Sequence, residues 1–335
     1  MRKNLVCFFL FVAISSYSQE LSNKIDSSSF NKYAAIDALA DSIKNSIDLK
    51  NQSTVNYTSR KWIVGLGTGT VYGSSFIYLN EAWYKGYPRS SFKTFNDAGE
   101  WMQMDKIGHA WTAYTMGKAT AGMWRWAGAN EKKSVFLGSG TSLLYMLSIE
   151  YLDGRSAEWG WSWADVSADI FGSALFSAQQ LGWKEQKVLL KFSSHKKNYG
   201  PSLNARADDL FGKSLPERIL KDYNAQTYWL SCNLKSILKN DKLPAWLNVS
   251  VGYGADGMLG GYENLVKDKN GTVIFDRRDV ERYRQIFLAP DIDLTKIKTS
   301  SKVLRTILFT VNCLKVPTPS LEFSQGKLHG HWLQF

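Results

Sequence analysis

The chain has 335 residues, with 41 Lys and Arg against 30 Asp and Glu for a net charge of +11, and 14% aromatic residues including 13 Trp. That length leaves room for two domains and a sizeable core, and the mean hydropathy of -0.26 is mild. Most of the positive excess follows residue 184; it raises nucleic acid, anionic membrane and glycan as partners, and the opening residues exclude the first.

The chain begins MRKNLVCFFLFVAISSYSQE. A basic head (Arg2, Lys3) precedes an apolar run from Leu5 to Ile14, and Ser16 and Ser18 precede Gln19 at the spacing of a signal-peptidase site. The run is shorter than the ~20 apolar residues of a membrane span. Residues 1–18 therefore read as a cleaved export signal. Cys7 lies inside the run rather than at its end, which argues against a lipidated start. Cys232 and Cys313 remain; an oxidising envelope allows them to pair, and two separate buried thiols are the alternative.

Residues 19–59 read as an amphipathic helix, around AAIDALADSIKNSI, and a polar linker. Four apolar stretches follow: Trp62–Leu79, Asp105–Trp126, Ser134–Leu152 and Ser162–Trp183. Each is near the minimum length of a membrane span and is flanked by Trp or Tyr. They predict a helical module over residues 60–183, at or within a membrane, with a water-soluble bundle as the alternative. The glycines of GLGTGTVYG fit neither a dinucleotide nor a phosphate loop; close helix packing is the expected reason for them, and no nucleotide is expected.

After Lys184 the pattern changes. KVLLKFS, AQTYWLSCNL, AWLNVSVGYG, RYRQIFLAPDIDL and KLHGHWLQF are short, aromatic or β-branched, and separated by turn residues. In RYRQIFL, Arg282, Arg284, Ile286 and Leu288 share one face; Tyr283, Gln285 and Phe287 share the other. Residues 184–335 thus predict a β-rich antiparallel module, with a small outer-membrane barrel as the alternative, and SKVLRTILFTVNCL predicts one more helix. The fold class is α+β: a bundle of four or more apolar helices followed by the β-rich module.

The chemistry-bearing residues lie in the helices. Asp105 and His109 are four apart, on one helix face; an N-cap accounts for Asp105, whereas His109 sits among Ile107, Ala110 and Trp111. Glu150 follows Leu143, Met146 and Leu147 on an apolar stripe, where an unpaired carboxylate costs several kcal/mol; Arg155, His109 and Lys106 are its expected partners. Asp153 reads as part of the turn LDGR. In SWAD, Asp165 reads as the acid of a capping box with Ser162. Asp169, one turn further on, lies in the helix body and has no such explanation. If the three faces converge, Asp105, His109, Glu150, Asp153, Arg155, Asp165 and Asp169 form one polar cluster. It is expected to be a network that fixes helix register and needs no cofactor, or else a divalent-metal site drawn from His109, Glu150 and Asp169. Asp105, His109, Glu150 and Asp169 are the candidate catalytic residues of that second reading. Trp159, Trp161 and Trp163 are expected to rim it, as a sugar platform or an interface anchor.

DKIGHAWTAY, SIEYLDGR and GWSWADVSADIFGSAL together resemble the uncharacterised YfiM-like family of predicted periplasmic lipoproteins, over about residues 105–182. The same polar order is distantly similar to VanZ-like membrane proteins, although their glutamine and asparagine are absent here. The first resemblance implies an envelope location and a common purpose for the polar residues, and no reaction. The expectation is an exported, membrane-associated envelope protein of the periplasm or outer membrane, with membrane lipid or the envelope surface as partner. A metal-dependent hydrolase acting on a lipid or cell-wall component is the first alternative, a glycan-binding module the second.

Overall fold

The computed structural model describes residues 56–80 and 88–334. The export signal and most of the 19–59 amphipathic segment lie outside them. Four long helices open the chain: α1 (Tyr57–Leu79), α2 (Met104–Trp126), α3 (Glu131–Gly154) and α4 (Trp163–Trp183). Local signals set their ends. Asn56, Asn130 and Ser162 accept hydrogen bonds from backbone amides three residues on, as N-caps do. Helix α2 stops before Gly128, whose φ of +87° is the left-handed conformation that suits a residue just past a helix end.

The helices approach closely at particular glycines. A Cβ on Gly172 of α4 would sit 2.0 Å from the Ala110 carbonyl oxygen of α2, and one on Gly138 of α3 would sit 2.5 Å from the Gly117 carbonyl oxygen of α2. Those two contacts draw α3 and α4 onto α2. The glycines of α1 make no such approach among the described residues, where a Cβ on Gly65, Gly67, Gly69 or Gly73 would meet nothing within 4 Å. Among the described residues only α3 is long and apolar enough to cross a membrane, so the four stretches are not four equivalent spans.

Beyond α4 come β1 (Val188–Ser194), α5 (Pro201–Phe211), α6 (Leu215–Lys221), β2 (Gln226–Asn233), α7 (Leu234–Leu238), β3 (Leu247–Asp256), β4 (Leu265–Lys267), β5 (Val273–Asp276), β6 (Tyr283–Ile292), α8 (Lys302–Val311), β7 (Thr318–Ser324) and β8 (Lys327–Gln334). Six strands form one sheet in the order β1-β2-β3-β6-β7-β8, antiparallel throughout, while β4 and β5 make a separate hairpin. The sheet is open, with β1 and β8 at its ends, which overturns the small-barrel alternative. The α+β class stands, as do the five expected strands and the late helix α8. Pro201 at the start of α5 and the capping box of Ser214 and Glu217 at α6 mark two helices that the strand-rich reading of this half does not anticipate. Cys232 and Cys313 are separate thiols, and burial pushes Cys313 up to about 11.

The two halves share a core. Phe192 of β1, Tyr228 of β2 and Ala255 of β3 pack with Met104, Ile107 and Trp111 of α2. The Gln179 side chain of α4 accepts from the Lys187 and Val188 amides and donates to the Val188 carbonyl, so the helix end positions the first strand.

Candidate functional site

The first turns of α2 and α4 and the last turn of α3 meet at one end of the bundle. The approach to α2 is strained. Trp101, Met102 and Gln103 all have positive φ (47°, 52° and 66°), a conformation that costs about 1–3 kcal/mol per non-glycine residue. The second half of the chain holds them there: Trp101 N–H donates to the Gly261 carbonyl, Tyr253 OH to the Met102 carbonyl, and Arg284 to the Gln103 side chain. With Gln103 left-handed and making no side-chain cap, Asp105 is not the expected N-cap. Its carboxylate accepts from Lys106 Nζ at 3.0 Å and from Tyr223 OH at 2.6 Å.

Lys106 is the first centre of the site. Its ammonium lies 2.6 Å from Asp97 Oδ2, 3.0 Å from Asp105 Oδ2 and 2.8 Å from Asp165 Oδ1. Burial opposes the ammonium, yet Asp105 and Asp165 hold its pKa above the ordinary lysine value. Asp165 is therefore not half of a capping box. Ser162 Oγ does accept from the Asp165 amide, at 3.0 Å, but the Asp165 carboxylate turns to Lys106 and the Ser162 amide donates to Glu150 Oε2 instead, at 3.2 Å. Ser162 Oγ in turn donates to Asp97 at 2.5 Å. Burial, with Asp105 adding to it, pushes the Asp165 carboxyl up to about 7.

His109 is the second centre. Its Nδ1 lies 3.1 Å from Asp169 Oδ1 and 3.7 Å from Glu150 Oε1, and its Nε2 lies 4.0 Å from Asp105 Oδ1. Glu150 is 1% exposed and Asp169 0%. Burial works against a charged imidazole, but the hydrogen bond to Asp169 and the charges of Asp165 and Asp105 raise the His109 pKa well above its ordinary value. Burial pushes Glu150 up to about 8 in spite of His109. Among the described residues, one oxygen of each of these two buried acids, Glu150 Oε1 and Asp169 Oδ2, accepts no hydrogen bond, as does Asp165 Oδ1 beside Lys106, whereas a buried polar atom normally finds a partner.

Ligand-type atoms converge in two sets that share His109: Asp105, His109 and Asp165, and His109, Glu150 and Asp169, the atoms of each set within 4.8 Å of one another. The Lys106 ammonium already sits on both acids of the first set. In the second set, among the described residues, His109 itself is the only cationic group within ion-pair distance. One imidazole with two carboxylates is a donor set suited to Zn²⁺ or Mn²⁺.

Five of the seven expected cluster residues are thus brought together: Asp105, His109, Glu150, Asp165 and Asp169. Arg155 is not among them; it is exposed at the C-cap of α3, where its carbonyl accepts from the Ser90 amide. Asp153 stays outside both sets, near enough to raise Glu150 by its charge. Asp97, in the loop before α2, and Tyr223, which is 118 residues from Asp105, were not foreseeable from local pattern. The tryptophans do not form one platform. Trp161 is half-buried, 5.9 Å from Phe92 and edge-on to Trp163 at 5.4 Å, with its backbone paired to Lys93 and Phe95; Trp163 is largely exposed and Trp159 half-buried.

Residues 94–179 match the model of a family described as a predicted periplasmic lipoprotein (DUF2279). No curated protein and no solved structure matches the chain. The matched segment contains Asp97, Asp105, Lys106, His109, Glu150, Ser162, Asp165 and Asp169, and ends before β1. The family description agrees with export to the periplasm and membrane association, the location expected from the sequence, and it carries no activity.

Proposed function

We propose that this is a membrane-associated envelope protein whose helical module is built around a divalent-cation site formed by His109, Glu150 and Asp169. The observation that carries this reading is the pair of orphaned oxygens, Glu150 Oε1 and Asp169 Oδ2, on two acids sealed from water beside one imidazole. Five carboxylates, those of Asp97, Asp105, Glu150, Asp165 and Asp169, surround two basic groups, Lys106 and His109. Such an excess takes up either protons or a cation. Without metal, burial raises the Glu150 carboxyl to about 8, so it keeps its proton at neutral pH, and the neighbouring carboxylates raise the His109 pKa well above its ordinary value. A divalent cation held by His109, Glu150 and Asp169 would take the place of protons there and would tie three helices at one point. The register-fixing role expected of the cluster and its role as a metal site are then two states of one site. The membrane or the envelope surface is the partner; nucleic acid and nucleotide have no place in this reading.

Isothermal titration of metal-stripped protein with Zn²⁺ and Mn²⁺ tests it. About one equivalent per chain is expected, in keeping with a single His-carboxylate set, with tighter binding as pH rises through 8 because protons are displaced. Asp169→Asn and Glu150→Gln are expected to abolish the tight site while the circular dichroism spectrum is kept. Titration heats that are equal in wild type and Asp169→Asn would discard the proposal.

Partial exposure of His109 and Asp105, 15% and 23% of their side chains, favours a second reading. A cation at His109 would then be open to water on that side, as hydrolysis of an envelope lipid or cell-wall component requires. Metal-dependent release of product from envelope extracts by wild type and not by His109→Ala is its test; equal release by both excludes it.

A further inference from the structure

The six-stranded sheet is polar where it is buried and apolar where it is exposed. Its enclosed face carries Lys191, Asp291, Ser231, Ser250, Glu322 and Ser324, all buried, with Trp229 and Phe287 between them. Its other face carries two cross-strand rows of large apolar side chains. One row runs Leu230, Val251, Leu288, Leu321; the second runs Phe192, Tyr228, Tyr253, Ile286, Phe323, Leu328. The second row begins buried under α2, against Met104 and Trp111, and then runs out from beneath the helices. At its far end Leu328 is 73% exposed, with Trp332 beside it at 90%. Between the rows' outer strands lies a groove of ≈ 580 Å³ walled by Leu247, Val249, Leu288, Leu321 and Trp332.

We infer that this face, from β3 to β8, rests on a phospholipid bilayer with its leucines, Phe323 and Trp332 in the boundary between headgroups and acyl chains. A water-facing sheet presents polar side chains outward and keeps its apolar ones inside; this sheet reverses that order, as strands in contact with lipid do. Two further features select lipid over a protein partner. Most of the chain's positive excess lies in this half, which favours anionic headgroups. Tryptophan at the rim of an apolar face is the side chain enriched where membrane meets water. Among the described residues β8 is an edge strand of the sheet, and the open side of an edge strand stays at headgroup depth, where water can bond it. The face therefore lies on the membrane without crossing it. The inference deepens the membrane association proposed above by naming the surface, and it is independent of the cation site.

The test is flotation of the full chain with vesicles of phosphatidylethanolamine and phosphatidylglycerol, wild type against Leu321→Asp/Phe323→Asp. Both positions are already exposed, so the fold is kept, and the N-terminus is common to both proteins and cancels. The double variant is expected to need about tenfold or more lipid for half-binding. Trp332→Phe is expected to remove a component of tryptophan emission that brominated lipid quenches. Equal flotation of wild type and double variant overturns the inference. So does light scattering that shows a lipid-free dimer lost in the double variant, because that assigns the face to a second copy. Asp169→Asn is expected to float as wild type does, so failure at the cation site leaves this result unaffected.

Discussion

Two clusters of buried charge lie in this protein, and they are balanced in opposite ways. On the enclosed side of the sheet, Asp291 lies 2.8 Å from Lys191 Nζ and 3.6 Å from Lys315 Nζ. The surplus there is cationic, and the chain absorbs it with its own oxygens. Lys191 donates to the Ile292 carbonyl, and Lys315 donates to the Pro290 and Val316 carbonyls and to Thr318. At the bundle end the surplus is anionic, and three carboxylate oxygens, Glu150 Oε1, Asp165 Oδ1 and Asp169 Oδ2, accept no hydrogen bond among the described residues, against one, Asp291 Oδ1, at the sheet, where the Lys315 ammonium stands 3.6 Å away. Surplus ammonium is easily satisfied, because every strand end offers carbonyls. Surplus carboxylate needs N–H groups, and the middle of a helix has none to spare. A lone oxygen beside surplus ammonium is architecture; three beside surplus carboxylate ask for a proton or an ion from outside.

The largest effect that would test this contrast comes from removing a central cation. Lys106→Met leaves Asp97, Asp105 and Asp165 facing one another and is expected to cost ~3–5 kcal/mol in urea unfolding. Added metal sharpens the comparison. At a Zn²⁺ concentration of about 100 times Kd, wild type is expected to gain ~2.7 kcal/mol by the same measurement. That gain should vanish in Asp169→Asn and persist in Asp291→Asn.

The two clusters also differ in the sign of their pH dependence. Glu150 has its folded pKa raised from 4.5 to about 8. Between those values the folded state holds the extra proton, so this contribution to stability is full below pH 4.5 and is lost as pH rises through 8. Lys315 has its folded pKa lowered from 10.5 to about 8. Between those values the unfolded state holds the extra proton, so stability gains as pH rises. Metal-free Glu150→Gln should flatten the falling limb and Lys315→Met the rising one, each by up to about 1.4 kcal/mol per pH unit. Ser162→Ala is expected to be the mildest change at ~1 kcal/mol, the loss of an N-cap, read as a small fall in melting temperature.

The contrast also explains what could be read from sequence. The cluster on α2, α3 and α4 was legible because helical spacing puts Asp105 with His109, and Asp165 with Asp169, and sets Glu150 on an apolar stripe. Charge complementarity misled at Arg155, where the chain turns at Gly154 and carries the guanidinium outward. The cap reading misled at Asp105 and Asp165, because tertiary partners, Tyr223 and Lys106, outbid the backbone amides. Five strands were legible from alternation and turn residues. Strands β4, β5 and β7 lie outside those five segments; in β7, Pro319 is tolerated at an irregularity in the β7–β8 register. Nothing local links Tyr253 or Arg284 to the start of α2.

That last link leads to a prediction about how small a piece of the protein can stand alone. The left-handed triplet Trp101–Gln103 is bolted in place by Gly261, Tyr253 and Arg284, all beyond the segment that carries the family resemblance. The family match and the mechanical support therefore follow different boundaries. A fragment excised after Trp183 keeps every acid of the cluster and loses the brace that aims Asp105, so it is expected to fold loosely and bind Zn²⁺ weakly, with supplying residues 184–334 in trans as the measurable remedy.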